Sequence, residues 1–215
     1  MDLKRVYSKV FLWMFIGLLV TFLTGYIVSI NENMLLSIFN KGLYWLFAII
    51  ELGLVIFLSA RIRKMGTTTA RICFIVYSFI SGLTFSSIFV VYDLGFIMYV
   101  FALTAILFGV FALIGHSTKL DLSKIGTILL MALLGVIICT IVNLFVKSEA
   151  FEFGITVASL VIFLLFVAYD MRKIKLLQNS FDNENNLAIC GALELYLDFI
   201  NIFIDLLKLL SRNRD

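Results

Sequence analysis

The chain has 215 residues, 62% of them hydrophobic and 14% charged, with mean hydropathy +1.10 and a formal net charge of +3. That composition excludes an ordinary soluble domain, and apolar runs of about 20 residues exclude a membrane barrel, whose strands are shorter and alternate apolar with polar. The expectation is an all-α integral membrane protein whose solvent is the lipid bilayer, with no nucleic-acid partner.

Seven spans are predicted within a single membrane domain, 1–215: near 10–30, 42–61, 72–92, 96–115, 125–146, 153–174 and 188–210. Lys4, Arg5 and Lys9 precede the first as they would a signal peptide, but the apolar stretch is too long and no A-x-A site follows, so it reads as a retained helix. The second carries Glu51 near its middle and Arg61 at its end. In the third, Ser78, Gly82 and Ser86 recur every four residues, a ridge of small side chains along which another helix can approach closely. The fourth runs out at His116, the one histidine, which reads as interfacial and rules out a site built from several imidazoles. Cys73, Cys139 and Cys190 lie inside apolar runs without CxxC spacing and read as small packing residues. Proline is absent, which leaves glycines and unwound turns as the places where a helix can break. The apolar part of the sixth span ends at Asp170, in FLLFVAYDMRK, and the polar stretch from Gln178 to Asn186 looks flexible.

Lysine and arginine counts set the orientation. With the N-terminus inside, twelve fall on the cytoplasmic side (Lys4, Arg5, Lys9, Arg61, Arg63, Lys64, Arg71, Lys119, Lys124, Arg172, Lys173 and Lys175) and five outside (Lys41, Lys147, Lys208, Arg212 and Arg214). The N-terminus is therefore expected inside, and the short loops suggest a bacterial plasma membrane. The basic tail falls outside if the last helix spans, and inside if that helix is re-entrant; both remain open in the sequence.

The seventh span, ICGALELYLDFINIFIDLLKLL, is the functional lead, because it holds Glu194, Asp198, Asp205 and Lys208 at membrane depth. A charge at the bilayer centre costs about 2.5–3.5 kcal/mol on the insertion scale, so such residues face a protein interior, a cavity or a partner charge. At about 100° per residue the three carboxylates fall within roughly 40° of one another and form one acidic stripe. Arg61 lies ten residues after Glu51, and Lys208 lies ten residues after Asp198 on a helix running the other way. An antiparallel register that sets Arg61 level with Asp198 therefore also sets Glu51 level with Lys208, and two ion pairs would neutralise most of the buried charge. Asp170, about 7.5 Å of helix before Lys175, and Asp198, about 10 Å beyond Gly191, are expected at similar depth. Two carboxylates in contact there would share one proton, a physical pH switch, and the same oxygens are the ligands calcium requires.

LELYLDFINIFIDLLKLL resembles the last-helix signature of the Bax inhibitor family, also called the transmembrane Bax inhibitor motif family. ISGLTFSSIF at 80–89 is similar to that family's third helix and AYDMRKIK at 168–175 to the end of its sixth, so the resemblance covers essentially the whole chain. It implies a bundle with the C-terminal helix central, wrapped by two three-helix layers, and a pH-sensitive calcium leak in which calcium ions and protons are the ligands and no other cofactor is needed. Asp170 and Asp198 match the family's paired aspartates, the pH sensor and gate and the oxygens that would meet calcium. Arg61 matches the arginine that contacts them in the closed form, with Arg63 the alternative within RIRK. Glu51 and Lys208 resemble an acidic and a basic position of bacterial members, and Glu194, Asp205 and Asn201 complete the implied ion pathway. Glu194 stands where the motif normally has serine and Asp205 where it usually has a neutral residue, which makes the path more acidic than the family's pattern.

Three other functions share these features. An intramembrane aspartyl protease also uses two membrane aspartates, but Leu195, Tyr196 and Leu197 stand where its second motif has glycines, and a chain without proline lacks the proline-bearing loop. No enzymatic activity is therefore expected. A proton-coupled transporter would use buried carboxylates equally, although the glycine-broken helix pairs that favour one are not evident. A regulatory protein acting through membrane protein partners would keep the charges only to lock the bundle. The chain is expected to be a monomer, and calcium flux in liposomes separates the conducting alternatives from the regulatory one.

Overall fold

The computed structural model describes residues 2–40, 42–118 and 123–212. Lys41, Lys119 and Arg214, counted above for orientation, lie outside the described residues, as does the side chain of Lys124. The described residues form α-helices joined by short turns: α1 (Leu3–Ser29), α2 (Glu32–Asn40), α3 (Leu43–Arg61), α4 (Thr67–Val91), α5 (Leu94–Ser117), α6 (Ser123–Val146), α7 (Glu149–Leu176) and α8 (Glu184–Ser211). Seven of them, all except α2, are long and apolar enough to cross a membrane, and each overlaps one predicted span. Most reach beyond the apolar run, because polar residues continue a helix where the chain leaves hydrocarbon. Asp2, for example, starts α1 by accepting from the Lys4 backbone N–H at 3.0 Å. The helix α2 replaces an expected loop: the Asn31 side chain accepts from the Met34 N–H at 3.2 Å, and Ile38 is buried beneath the turn.

The chain divides into two compact units. One takes in α1 to α4, the start of α5 and residues 177–196; the other runs from Met98 to Leu176 and continues with the remainder of α8 from Leu197. In the first unit α1 packs along α4 as the Ser78–Gly82–Ser86 ridge predicts. The matching groove on α1, Gly17, Thr21 and Gly25, has the same four-residue spacing and passed unnoticed in the sequence. A Cβ on Gly82 would stand 2.5 Å from Thr24 Cβ and 2.8 Å from the Thr21 carbonyl oxygen, so the backbones approach as only glycine allows. In the second unit Gly115 of α5 lies against the backbone of Ala168, and Gly126 of α6 against the ring of Tyr169, beside a core of Leu129, Ile162 and Phe166. Phe199 of α8 meets Phe101 and Phe108 of α5 at 5.1 and 5.6 Å between ring centroids.

Helix α8 is the most enclosed span: 72% of its most apolar window is buried, against at most 33% in the other six. Elsewhere large apolar side chains such as Phe145 and Trp45 point outward, the reverse of a protein in water and the arrangement lipid stabilises. Polar contacts mark both ends of α8. At its start Lys9 pairs with Glu184 and donates to Asn185 Oδ1 at 2.7 Å. There Asn186 donates to the carbonyls of Ile62 and Met65 at 3.2 and 2.8 Å and accepts from the Thr67 hydroxyl at 2.7 Å. At its end Arg212 donates to the Glu149 carbonyl at 3.0 Å, beside the first turn of α7. A continuous 28-residue helix rises about 42 Å, so α8 is long enough to cross the bilayer in one unbroken pass.

The stretch from Gln178 to Asn186, expected to be flexible, is tied down instead. Phe181 is buried under the guanidinium of Arg63, and Asn183 donates to Thr67 at 2.9 Å. Asparagine composition suggested a loop, but these side chains satisfy carbonyls that the α3–α4 turn leaves open. Asn186→Ala is expected to lower stability by about 1–3 kcal/mol, the cost of leaving buried acceptors unmade. Asn186→Asp, which keeps the acceptor and loses the donor, should do no better in thermal unfolding in detergent; a variant as stable as the parent would show that the clasp is decorative.

Candidate functional site

The sequence-predicted residues divide between the two units. Asp170, Asp198, Asn201, Asp205 and Lys208 belong to the second; Glu51, Arg61 and Glu194 belong to the first.

In the second unit α7 and α8 carry acids into the interior: Asp170, Asp198 and Asp205 are 6%, 4% and 7% exposed. Asp170 lies six residues, about 9 Å, before the end of α7, with Lys173 Nζ 3.7 Å from its Oδ1. Asp198 lies fourteen residues, about 21 Å, beyond the start of α8. It is therefore deeper in its helix than the predicted start at Gly191 implied. Asn201 donates to the Leu197 carbonyl one turn back at 2.7 Å, and Lys208 is exposed. Among the described residues no group of three or more His, Cys, Asp or Glu side chains could hold a metal ion. Calcium takes about six to eight oxygens, so an ion meeting Asp170 or Asp198 would complete its shell with water and carbonyls.

In the first unit Glu51 sits in a hydroxyl network that the sequence reading missed. Ser81 donates to its Oε1 and Thr84 to its Oε2, the latter at 3.1 Å, and Tyr77 hydrogen-bonds both Glu51 and Ser81. Tyr196 continues the network from Ser81 to Thr21, whose hydroxyl is 2.7 Å from the tyrosine oxygen. Several O–H donors on one carboxylate do in the bilayer what a cation was expected to do. The available signal was Ser81 and Thr84, three residues apart on one face of the third span.

These contacts also correct the helix register. Asn186 sits beside Ile62 at the end of α3. Eleven residues back along α3 is Glu51 and ten residues on along α8 is Tyr196, both about 15–16 Å from that point. Within the first unit Glu51 is thus level with Tyr196, and Arg61 with Asn186, where the sequence expectation set Lys208 and Asp198. The slip is twelve residues, about 18 Å. It arises because the ten-residue offsets were matched charge to charge, whereas hydroxyl groups face Glu51. Arg61 is exposed and ends α3 with its carbonyl accepting from Lys64 and Met65, while Arg63 covers Phe181. One cation beside Asp170 is Lys173, readable in YDMRK as an i, i+3 pair. Glu194, half-buried on α8, has its Oε1 3.9 Å from Cys190 Sγ. The three cysteines are free thiols, and His116 is exposed in the last turn of α5.

The sequence profile of the family described as "Inhibitor of apoptosis-promoting Bax1" matches residues 3–215. An uncharacterised protein of Borreliella burgdorferi is 38% identical over 217 residues, covering 99% of this chain and 94% of the relative. The inner membrane protein YbhL of Escherichia coli is 37% identical over 218 residues, covering 99% and 93%. An uncharacterised membrane protein of Streptococcus pyogenes is 34% identical over 212 residues, covering 97% and 91%.

Proposed function

This chain belongs to the Bax inhibitor family and is a multi-pass protein of the bacterial inner membrane, and on that premise we propose that it is a pH-sensitive calcium leak. The observation that carries the proposal is the burial of Asp170 and Asp198 on consecutive spanning helices of one unit, inside a hydrocarbon layer where charge is tolerated only for a purpose. Ionised, the two carboxylates attract a divalent cation; protonated, they lose both the charge and the repulsion between them, so acidification changes conformation and conduction together. Lys173 replaces Arg61 as the basic partner of Asp170 in this scheme. Asn201 and Glu194 line the remaining polar path on α8, and the chain acts as a monomer, without enzymatic activity.

Calcium uptake by purified protein in liposomes, measured between about pH 6 and pH 8, tests the reading against ordinary carboxylates that titrate near 4. Uptake that varies with pH and persists without a proton gradient is the expected result. Uptake that requires the gradient identifies a coupled transporter, and no uptake at any pH leaves a regulatory protein.

A further inference from the structure

We propose that Asp205 and Ser159 form a proton-binding station in the second unit, separate from the paired aspartates. Asp205 lies seven residues, about 10 Å, beyond Asp198 on α8. Both members are enclosed, Asp205 at 7% and Ser159 at 8% exposure. Ser159, on α7, is the hydrogen-bonding neighbour of the Asp205 carboxyl group, and Asp205 Oδ2 is buried with no hydrogen-bond partner among the described residues. A carboxylate so placed is a charge with one hydroxyl for company and one oxygen facing nothing that donates. Taking up a proton removes the enclosed charge and gives the unpartnered oxygen an O–H.

One cation, Lys208, acts on the Asp205 carboxyl group through its charge, and it does so from an exposed position. No ion pair joins it to Asp205 among the described residues. On α7 the nearest charged side chains toward the helix start are Glu152 and Glu149, and Glu149 meets Arg212. Helix α5, which reaches α8 through Phe101 and Phe203, offers only the exposed Tyr99 and His116 as titratable groups between residues 98 and 117. Helix α6, packed on α7, offers the half-buried Cys139 between residues 125 and 146. Calcium does not fit: it takes about six to eight oxygens. The next hydroxyl on this face of α7, Thr156, is committed to the Glu152 carbonyl at 2.9 Å. One proton suffices to give the station its O–H.

Infrared difference spectroscopy on the full-length protein in liposomes, taken through a pH titration, tests this by the C=O stretch of a protonated carboxyl group. Asp205→Asn should delete that band, Asp198→Asn should leave it, and Ser159→Ala should shift its frequency by removing the neighbouring hydroxyl. Millimolar calcium should leave it in place. A carboxyl C=O spectrum that Asp205→Asn leaves unchanged, or an Asp205-dependent band that calcium abolishes, would overturn the station. If Asp205→Asn fails to fold, the Ser159→Ala shift decides alone, and an unshifted band counts against the proposal. The inference is independent of calcium conduction: an Asp205-dependent band in protein that passes no calcium leaves it standing.

Discussion

Alanine at Gly115 should prevent the second unit from packing. A Cβ there would stand 2.2 Å from the Ala168 carbonyl oxygen and 2.6 Å from Ala168 Cα, and backbone cannot step aside as a side chain can. Alanine's better helix propensity returns about 0.5–1 kcal/mol, less than the overpacking cost of roughly 1–3 kcal/mol or more. Ala168→Gly should give no rescue, because the atoms met belong to the main chain. Gly126→Ala is the informative contrast. Its Cβ would meet the Tyr169 ring at 2.4 Å, so Gly126→Ala combined with Tyr169→Leu should lose less stability than the two changes summed. Thermal unfolding in detergent measures both, and a Gly115→Ala protein melting with the parent would refute the close approach of α5 and α7.

In the liposome assay Asp198→Asn should flatten the pH profile of calcium uptake. A response controlled by one proton changes at most about tenfold per pH unit, and the variant should stay within about twofold across the window. Depth is the reason: Asp198 lies about 21 Å along its helix, where a change of charge matters most, whereas Asp170 lies about 9 Å from its helix end beside Lys173. Asp170→Asn should instead raise the leak at every pH, by releasing Lys173 from its carboxylate. A pH response unchanged in both variants would remove the aspartates as sensor and turn attention to Glu194 and Asp205.

Hydrophobic runs of about 20 residues made the seven spans legible, because only helices of that length satisfy every backbone group in lipid. The acidic stripe was legible too, since the angular position of Glu194, Asp198 and Asp205 follows from helix geometry alone. The partners were not. Ser81, Thr84, Tyr77 and Thr21 look like ordinary small or aromatic packing residues until the helices that bear them are placed beside Glu51. The helix start was missed for a related reason: Asn183 to Asn186 have loop composition, yet they lead into α8, and every depth counted from Gly191 was displaced by seven residues. Helix α2 escaped because nine residues are too few to stand out in a hydropathy pattern.

The discontinuity of the first unit has a consequence for biosynthesis. Its helices α1 to α4 are complete by residue 91, but Lys9 waits for Glu184, 175 positions later, and the site opposite Glu51 waits for Tyr196. At about 5–20 residues per second the ribosome needs on the order of ten seconds to supply them. During that interval the Ile62 and Met65 carbonyls have no Asn186, and the hydroxyl network lacks Tyr196. The arriving helix is the one least suited to enter lipid alone, since it carries four acids and a lysine. A preassembled polar slot lets it pass from the insertion machinery into protein without a stay in hydrocarbon. A nascent chain arrested before α8 would therefore expose an unfinished interior of the first unit to the membrane, and arrival of the last helix is the event that completes that unit.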